Sequence, residues 1–162
     1  VMKSKTYVLS ILADNHSGVL LLICGLFARR GYNLLSISAA ETQDPHISRL
    51  TIVTEADDQT LEQIIKQVQK LHEIHEVLNL SGDISVKREH VLVRAGCSEE
   101  TRDGLIQVAN LYRAKVLNVA QTELMLELTG SPKKIDSFLR LVKPYGIIKM
   151  ARSGMIALER EL

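Results

Sequence analysis

The stretch Thr6–Leu20, TYVLSILADNHSGVL, places a strand pattern directly before the start of a helix. Its opening residues alternate and are rich in β-branched and aliphatic side chains, which predicts a β-strand over Thr6–Ala13. The polar residues that follow end this strand, and Ser17 is placed to cap the next helix. That helix ends at Gly31, a residue type common just past a helix terminus. The stretch therefore predicts a strand, a short polar loop and a helix.

The remainder of the first half continues this pattern. Tyr32–Thr42 and Ile47–Thr54 read as two strands joined by a turn that contains Asp-Pro. From Asp57 onward, apolar residues recur on one helical face and Gln, Lys and Glu occupy the other, which predicts an amphipathic helix. A short strand follows at Val77–Leu80. The first half therefore has the order strand, helix, strand, strand, helix, strand.

The same order of elements repeats in the second half. A strand at His90–Ala95 precedes a helix that Ser98 is placed to cap, and Ser131 with Pro132 is typical of the start of another helix. The remaining strands are predicted at Lys115–Val119, Leu124–Thr129, Ile147–Ala151 and Met155–Leu158. The sequence thus predicts an α+β fold of two tandem ferredoxin-like (βαββαβ) domains, which span residues 1–82 and 83–162.

In this fold the helices cover only one face of each sheet. An uncovered aliphatic face in so small a domain usually pairs with another domain or subunit, so we predict a homodimer. The first helix also predicts contact with another protein, because Leu21, Leu22 and Cys24 lie opposite its core-facing side, where surface helices are normally polar. The alternative is a helix enclosed between the two domains of its own chain.

The composition argues against nucleic-acid and membrane partners. The formal net charge of +1, from 20 basic and 19 acidic residues, provides no electrostatic footprint for either. The longest apolar run, Val19–Gly25, is far shorter than a membrane-spanning helix. Cys24 and Cys97 are far apart and read as free thiols of a reducing compartment. We therefore expect a cytoplasmic protein with no nucleic-acid or membrane partner.

Two other functional classes remain as alternatives. The same order of elements builds RNA-recognition domains, but the central-strand segments LTIVT (Leu50–Thr54) and LMLELT (Leu124–Thr129) lack the aromatic residues on which bases stack. A small enzyme would need a clustered acid, base or nucleophile. The sequence has no phosphate-binding glycine loop, nucleophile elbow or Cys-x-x-Cys pair. We predict no catalytic residues, and an activity screen on the isolated chain would test this.

One group of residues superficially resembles a zinc site. His72, Glu73 and His75 follow one another closely, but the two histidines are three residues apart rather than four and lie where a helix ends. A solvated turn is the better interpretation. We therefore predict no metal site in the chain.

The loop between the first strand and first helix, DNHSGVL, is the strongest candidate binding site. Its candidate donors are the backbone N–H groups of Ser17, Gly18, Val19 and Leu20. A carboxylate could dock on them with help from the helix dipole. Asn15 offers an oxygen to an ammonium group, and Leu34, Leu35 or Ile37 offers an apolar wall. On spacing alone, the commoner interpretation is an ordinary helix cap with a turn glycine, and Asn33 reads equally as ligand-facing or as a turn residue.

Three blocks at matching spacing carry a resemblance to a known family. At DNHSGVL, followed by GLFARRGYNL and DPHISRLTIVT, the sequence closely resembles the small regulatory subunit of acetohydroxyacid synthase, also called acetolactate synthase. The resemblance continues through LEQIIKQVQKL to ARSGMIAL and covers essentially the whole chain. It implies an N-terminal ACT domain, the βαββαβ module that binds amino acids, followed by a second ferredoxin-like domain.

The resemblance also implies a function. Such subunits are not catalytic: they bind a catalytic large subunit, raise its activity and confer feedback inhibition by valine, with leucine or isoleucine as alternative effectors, in branched-chain amino-acid biosynthesis. The cofactors thiamine diphosphate, Mg and FAD belong to that partner, and none is expected in this chain. Carried over by residue, the effector site takes Asn15, His16, Ser17, Gly18, Val19 and Leu20 from one protomer, and Asn33, Leu34 and Leu35 from the facing protomer of the ACT dimer.

The chain departs from the family beside this loop. Leu21 and Leu22 stand where members commonly have Ser-Arg, and His16 stands where they commonly have Glu or Pro. Because these positions border the effector loop, the departures bear on effector identity and on the strength of inhibition. The leucines could instead adjust the contact with the catalytic subunit.

Overall fold

The computed structural model describes residues 4–161, which form two compact units. The described part of the first unit comprises residues 4–86 and 155–161, and the second unit comprises residues 87–154. The junction after Val86 is close to the predicted boundary at residue 82. The C-terminal segment, which we assigned to the second domain, lies in the first unit.

The first unit is a four-stranded antiparallel sheet with two helices. Its elements are β1 (Lys5–Asp14), α1 (Val19–Arg29), β2 (Asn33–Glu41), β3 (Ile47–Ala56), α2 (Asp58–Gln69) and β4 (Ile74–Asn79). The strands are ordered β2-β3-β1-β4, so β2 and β4 are the edges. These elements confirm the predicted order of strands and helices.

The core of the first unit follows from the alternation along β1. Leu9, Ile11 and Ala13 point to the helices and are fully buried, together with Ile23 and Phe27 of α1. Burying one such large aliphatic or aromatic side chain contributes about 1.5–3 kcal/mol. Residues of α2 at helical spacing complete this core: Leu61, Ile64 and Val68.

The second unit repeats this arrangement. Its elements are β5 (Ser85–Gly96, which begins at the junction), α3 (Glu99–Tyr112), β6 (Lys115–Val119), β7 (Glu123–Gly130), α4 (Pro132–Val142) and β8 (Ile147–Arg152). The strands are ordered β6-β7-β5-β8. The predicted caps are confirmed, because Ser98 accepts a hydrogen bond from the Thr101 N–H and Ser131 accepts one from the Lys134 N–H. The predicted α+β class, with two ferredoxin-like units, is therefore confirmed.

A partly buried ion-pair network braces the second unit. Two guanidinium nitrogens of Arg152 on β8 donate to the two carboxylate oxygens of Glu89 on β5, at 3.2 and 2.6 Å. Asp136 on α4 accepts further bonds from the same guanidinium. The hydrogen bond to Glu89 raises the pKa of Arg152 above its usual value. This network ties two strands and a helix together.

The C-terminal strand β9 (Ile156–Glu159) explains why the last residues belong to the first unit. Ala157 is buried against Val8 and Val53, on the sheet face opposite α1 and α2. The N–H of Arg160 donates to the carbonyl of Ile84 at 2.9 Å. The face that the sequence pattern left uncovered is therefore partly covered by a segment of the same unit.

Candidate functional site

Helix α1 begins without a side-chain cap. Its N-cap residue is Gly18, with φ 92° and ψ −17°, and no side chain bonds to the first turn. The prediction that Ser17 caps this helix is therefore wrong. Gly18 adopts the left-handed conformation, which residues with a Cβ rarely tolerate, and this starts the helix one residue later.

The first amides of α1 are left open by this geometry. The N–H groups of Gly18, Leu20 and Leu21 have no hydrogen-bond partner within residues 4–161, and the Val19 N–H makes only a long bond, 3.4 Å, to the His16 carbonyl. The other three α-helices of the described chain have caps from Asp57, Ser98 and Ser131. Open amides at a helix N-terminus favour an anion.

A cavity of about 220 Å³ lies beside this helix start. It is lined by Asp14, Asn15, His16, Val19, Leu20, Ala39, Ala40, Glu41, Ser48 and Leu50. Pockets for drug-sized ligands have volumes of roughly 300–1,000 Å³, so this cavity suits a smaller molecule. Two carboxylates and several aliphatic side chains line it, so it can hold a cationic group next to an apolar one.

Asn15 anchors the loop to the β2–β3 turn. Its side-chain Nδ2 donates to the Pro45 carbonyl at 2.8 Å, and its Oδ1 accepts a bond from the Ser48 hydroxyl at 2.8 Å. Its backbone N–H donates to the His46 carbonyl, also at 2.8 Å. An amide oxygen accepts two hydrogen bonds, so Oδ1 keeps one position for a ligand. Asn15 therefore holds the loop in place and can still contact a ligand.

The structure brings together some of the nine predicted site residues and separates others. Asn15, His16, Val19 and Leu20 line the cavity, whereas Ser17 and Gly18 are exposed in the same loop without lining it. The remaining three, Asn33, Leu34 and Leu35, begin the strand whose far end reaches the cavity. Glu41 follows Asn33 by eight positions along the strand, a distance of about 26 Å. One chain therefore does not bring the two groups together.

The part of the cavity that β2 and β3 supply was not predicted from the sequence. Ala39 pairs with Leu50 and Glu41 pairs with Ser48, on the face that also carries α1. Two small residues at a strand end were the available signal, since they leave space beside the sheet. Asp14 pairs with Ile47 at the start of β3, and this pairing places the Glu41 end of β2 next to the loop.

Exposed leucines lie on helix α1 and on the edge strand β2 of this unit. Leu20 and Leu21 on α1 are 48% and 76% exposed, and Leu35 on edge strand β2 is 49% exposed. Leu22 and Cys24, which we expected on the same surface, are half-buried. An edge strand with neighbouring exposed apolar side chains is suited to pairing with another chain.

Two other features bear on the class of protein. Among residues 4–161, no group of three or more His, Cys, Asp or Glu side chains is placed to hold a metal ion. No helix in that part of the chain is long and apolar enough to cross a membrane.

Residues 9–76, which lie in the first βαββαβ unit, match the family model described as the AHAS small subunit-like ACT domain, and this match defines the class as an ACT-domain protein. Residues 88–161 match a second family model, described as the small subunit of acetolactate synthase. The chain belongs to the acetolactate synthase small-subunit family, whose members are regulatory rather than catalytic subunits.

Similar proteins agree over nearly the full length. The acetolactate synthase small subunit of Mycolicibacterium smegmatis is 39% identical over 155 residues, which cover 96% of this chain and 91% of that protein. The acetolactate synthase small subunit of Buchnera aphidicola is 34% identical over 154 residues, covering 94% and 98%. The crystal structure of the small subunit from Thermotoga maritima has a TM-score of 0.88 at 32% identity, and the match covers 98% of this chain and 99% of that one.

Proposed function

We propose that this chain binds a branched-chain amino acid, with valine as the first candidate, and controls an acetolactate synthase catalytic large subunit. In this proposal the chain forms a cytoplasmic homodimer, which raises the activity of the catalytic large subunit and makes that subunit sensitive to feedback inhibition. Thiamine diphosphate, Mg and FAD are the partner's cofactors, and this chain contributes none. The observation that carries the proposal is the uncapped start of α1 beside a small cavity lined by both carboxylates and aliphatic groups.

Each part of an amino acid has a matching group here. Its carboxylate suits the open amides of Gly18, Leu20 and Leu21, which the helix dipole makes attractive to an anion. Its ammonium suits the carboxylates of Asp14 and Glu41 and the free acceptor position of the Asn15 amide oxygen. A branched aliphatic side chain suits four apolar residues of the cavity: Val19, Leu20, Ala39 and Leu50.

The homodimer gives the remaining predicted residues a role. Strand β2 is an edge of its sheet, so a second copy can pair with it antiparallel about a two-fold axis. With the axis near Ile37, the middle of β2, the start of one strand lies opposite the end of the other. Asn33, Leu34 and Leu35 of the second copy then lie beside the Ala40–Glu41 end of the cavity. The site we propose is therefore shared by two protomers.

The mechanism we propose is a shift between two pre-existing arrangements of the complex. Valine changes their populations only to the extent that it binds one arrangement more tightly than the other. A ligand held between two protomers binds one arrangement more tightly when the two arrangements differ in the distance between the protomers. The inhibition is then allosteric, because the effector site and the catalytic site lie on different chains.

The pair Gly18→Asp and Gly18→Asn tests the site. Gly18 has φ 92°, and a Cβ at this position would have no atom within 4 Å apart from its chain neighbours. Asp and Asn tolerate this conformation to a similar degree. The two variants have the same shape and differ in charge. We expect Asp to raise the valine concentration needed for half-maximal inhibition of the reconstituted enzyme by at least about tenfold relative to Asn, because like charges would meet. Equal valine sensitivity of the two variants would contradict the proposed site.

A further inference from the structure

Three ionisable side chains meet at the rim of the cavity. The Asp14 carboxylate, at the end of β1, lies between His75 of β4 and His16 of the loop. Its Oδ1 is 2.6 Å from Nε2 of His75, and its Oδ2 is 3.9 Å from Nε2 of His16. All three side chains are at least one-third exposed, at 35% for Asp14, 49% for His75 and 58% for His16. Each histidine therefore faces a different oxygen of the same carboxylate and can exchange protons with solvent.

Hydrogen bonding assigns the proton of each neutral ring. Nδ1 of His16 is 3.0 Å from the Ser17 carbonyl oxygen, which only accepts, so Nδ1 carries the hydrogen. The Nε2 that faces Asp14 then carries a lone pair when the ring is neutral, and it cannot donate to the carboxylate. For His75, Nε2 is the donor to Asp14. His16 therefore gains an attractive contact with Asp14 only when a second proton arrives.

Protonation changes what Asp14 can offer to a ligand. With neutral histidines, the cavity rim carries the negative charges of Asp14 and Glu41, which attract an ammonium group. A protonated His16 is itself a cation next to Asp14 and competes with that ammonium. Histidine rings change charge between about pH 5 and 8, the range relevant to a cell. Other ionisable groups on the segments next to Asp14 include Arg49 of β3 and Glu76 of β4, which both pair with Leu12 of β1, together with Glu41, Asp44, His46 and Glu73.

We propose that protonation of His16 and His75 weakens effector binding by competing for Asp14, which makes feedback inhibition proton-dependent. This inference rests on the proposed function, because it assigns a regulator to the same cavity. Exposed ion pairs contribute about 0.2–1 kcal/mol, so each histidine is expected to change the valine dissociation constant up to about fivefold. The constant therefore rises as the pH falls and is lowest above the histidine range.

Titration of the intact protein with L-valine tests whether the affinity depends on pH. The dissociation constant is measured by calorimetry at about pH 8 and about pH 5.5, on either side of the histidine range. The variants are His16→Gln, His75→Gln and the double variant, since glutamine keeps a hydrogen-bond donor without titrating. His72→Gln is the matched control, because His72 is exposed, lies close by in sequence and has no side-chain hydrogen bond within the described residues. Circular dichroism at both pH values verifies the fold.

The results separate this inference from the proposed function. It is supported if the wild type and His72→Gln lose affinity on acidification, each single variant loses less and the double variant loses none. It is overturned if the wild type binds equally at both pH values or if the double variant keeps the full pH dependence. Absence of valine binding at both pH values would instead overturn the proposed function. As a second measurement, Asp14→Asn should bind valine more weakly at about pH 8 and show little pH dependence.

Discussion

Single residues decide how the loop before α1, the proposed effector loop, is held. Asn15 was predicted as a ligand oxygen, and its position beside the cavity is consistent with that. The sequence did not reveal that its side chain also joins the loop to Pro45 and Ser48, because these contacts cross about thirty residues of chain. Local spacing predicts turns and caps, whereas side-chain contacts between distant segments depend on the register of the sheet.

The Ser48→Ala variant tests this anchor. It removes the hydroxyl that donates to the Asn15 Oδ1 at 2.8 Å. We expect the free energy of unfolding of the first unit to fall by about 0.5–1.5 kcal/mol, the usual contribution of a hydrogen bond. Ser38→Ala is the control, since Ser38 is a half-buried serine of β2 without a side-chain hydrogen bond in the described chain. Urea denaturation that gave equal losses for both variants would contradict the anchor.

Helix starts show how far an element can be predicted from its own residues. Ser98 and Ser131 were predicted as caps and are caps, because each is the N-cap residue, has an extended backbone and accepts a hydrogen bond from the N–H three residues later. Ser17 has the same spacing and is not a cap, since Gly18 takes the left-handed conformation and is itself the N-cap residue. Glycine permits both conformations, so the sequence alone could not choose between them.

Cap removal separates these cases. Ser98→Ala and Ser131→Ala should each lower stability by about 0.5–2 kcal/mol, because each leaves an amide of the first turn without its partner. Ser17→Ala should change it by no more than about 0.5 kcal/mol, because Ser17 is exposed and caps no helix. The measurement is the urea midpoint of the unit that carries each substitution. A loss for Ser17→Ala as large as that for Ser131→Ala would show that the serine does stabilise α1.

The strand ends were predicted less well where alternation is weak. Strand β4 begins at Ile74 rather than at Val77, because Ile74 pairs with Ala13 across an irregularity next to Leu12. The histidine at position 75 thereby joins the sheet and reaches Asp14. A turn was the reasonable interpretation of this segment from its polar residues. Long-range pairing made it a strand instead.

At the scale of the whole molecule, the repeat of the two units was evident in the sequence, but the packing position of the C-terminal segment was not. Two βαββαβ units follow from periodicity and from turn residues. The final strand, however, leaves the second half and packs Ala157 against Val8 and Val53. Apolar complementarity between the two ends of a chain has no local signature. A division by sequence order therefore assigned these residues to the second domain, whereas their packing joins them to the first unit.

The proposed effector site is also a property of the whole assembly. One chain supplies the open amides and most of the cavity, and the second copy is needed to bring Asn33, Leu34 and Leu35 near it. The sequence pointed to both groups, yet only the edge position of β2 gives a geometric reason for them to meet. The proposed regulation therefore depends on a ligand held between two protomers.

The backbone amide spectrum of the protein, recorded while L-valine is added, is the most direct test of the proposed effector site. We expect the amide proton resonances of Gly18, Leu20 and Leu21 to move downfield and to saturate, because their free N–H groups would bond the ligand's carboxylate. The amides of Thr101 and Lys134, which already donate to serine caps, should stay unchanged. If the α1 amides did not move at valine concentrations that inhibit the reconstituted enzyme, or if the largest changes lay in the second unit, effector binding at the start of α1 would be contradicted.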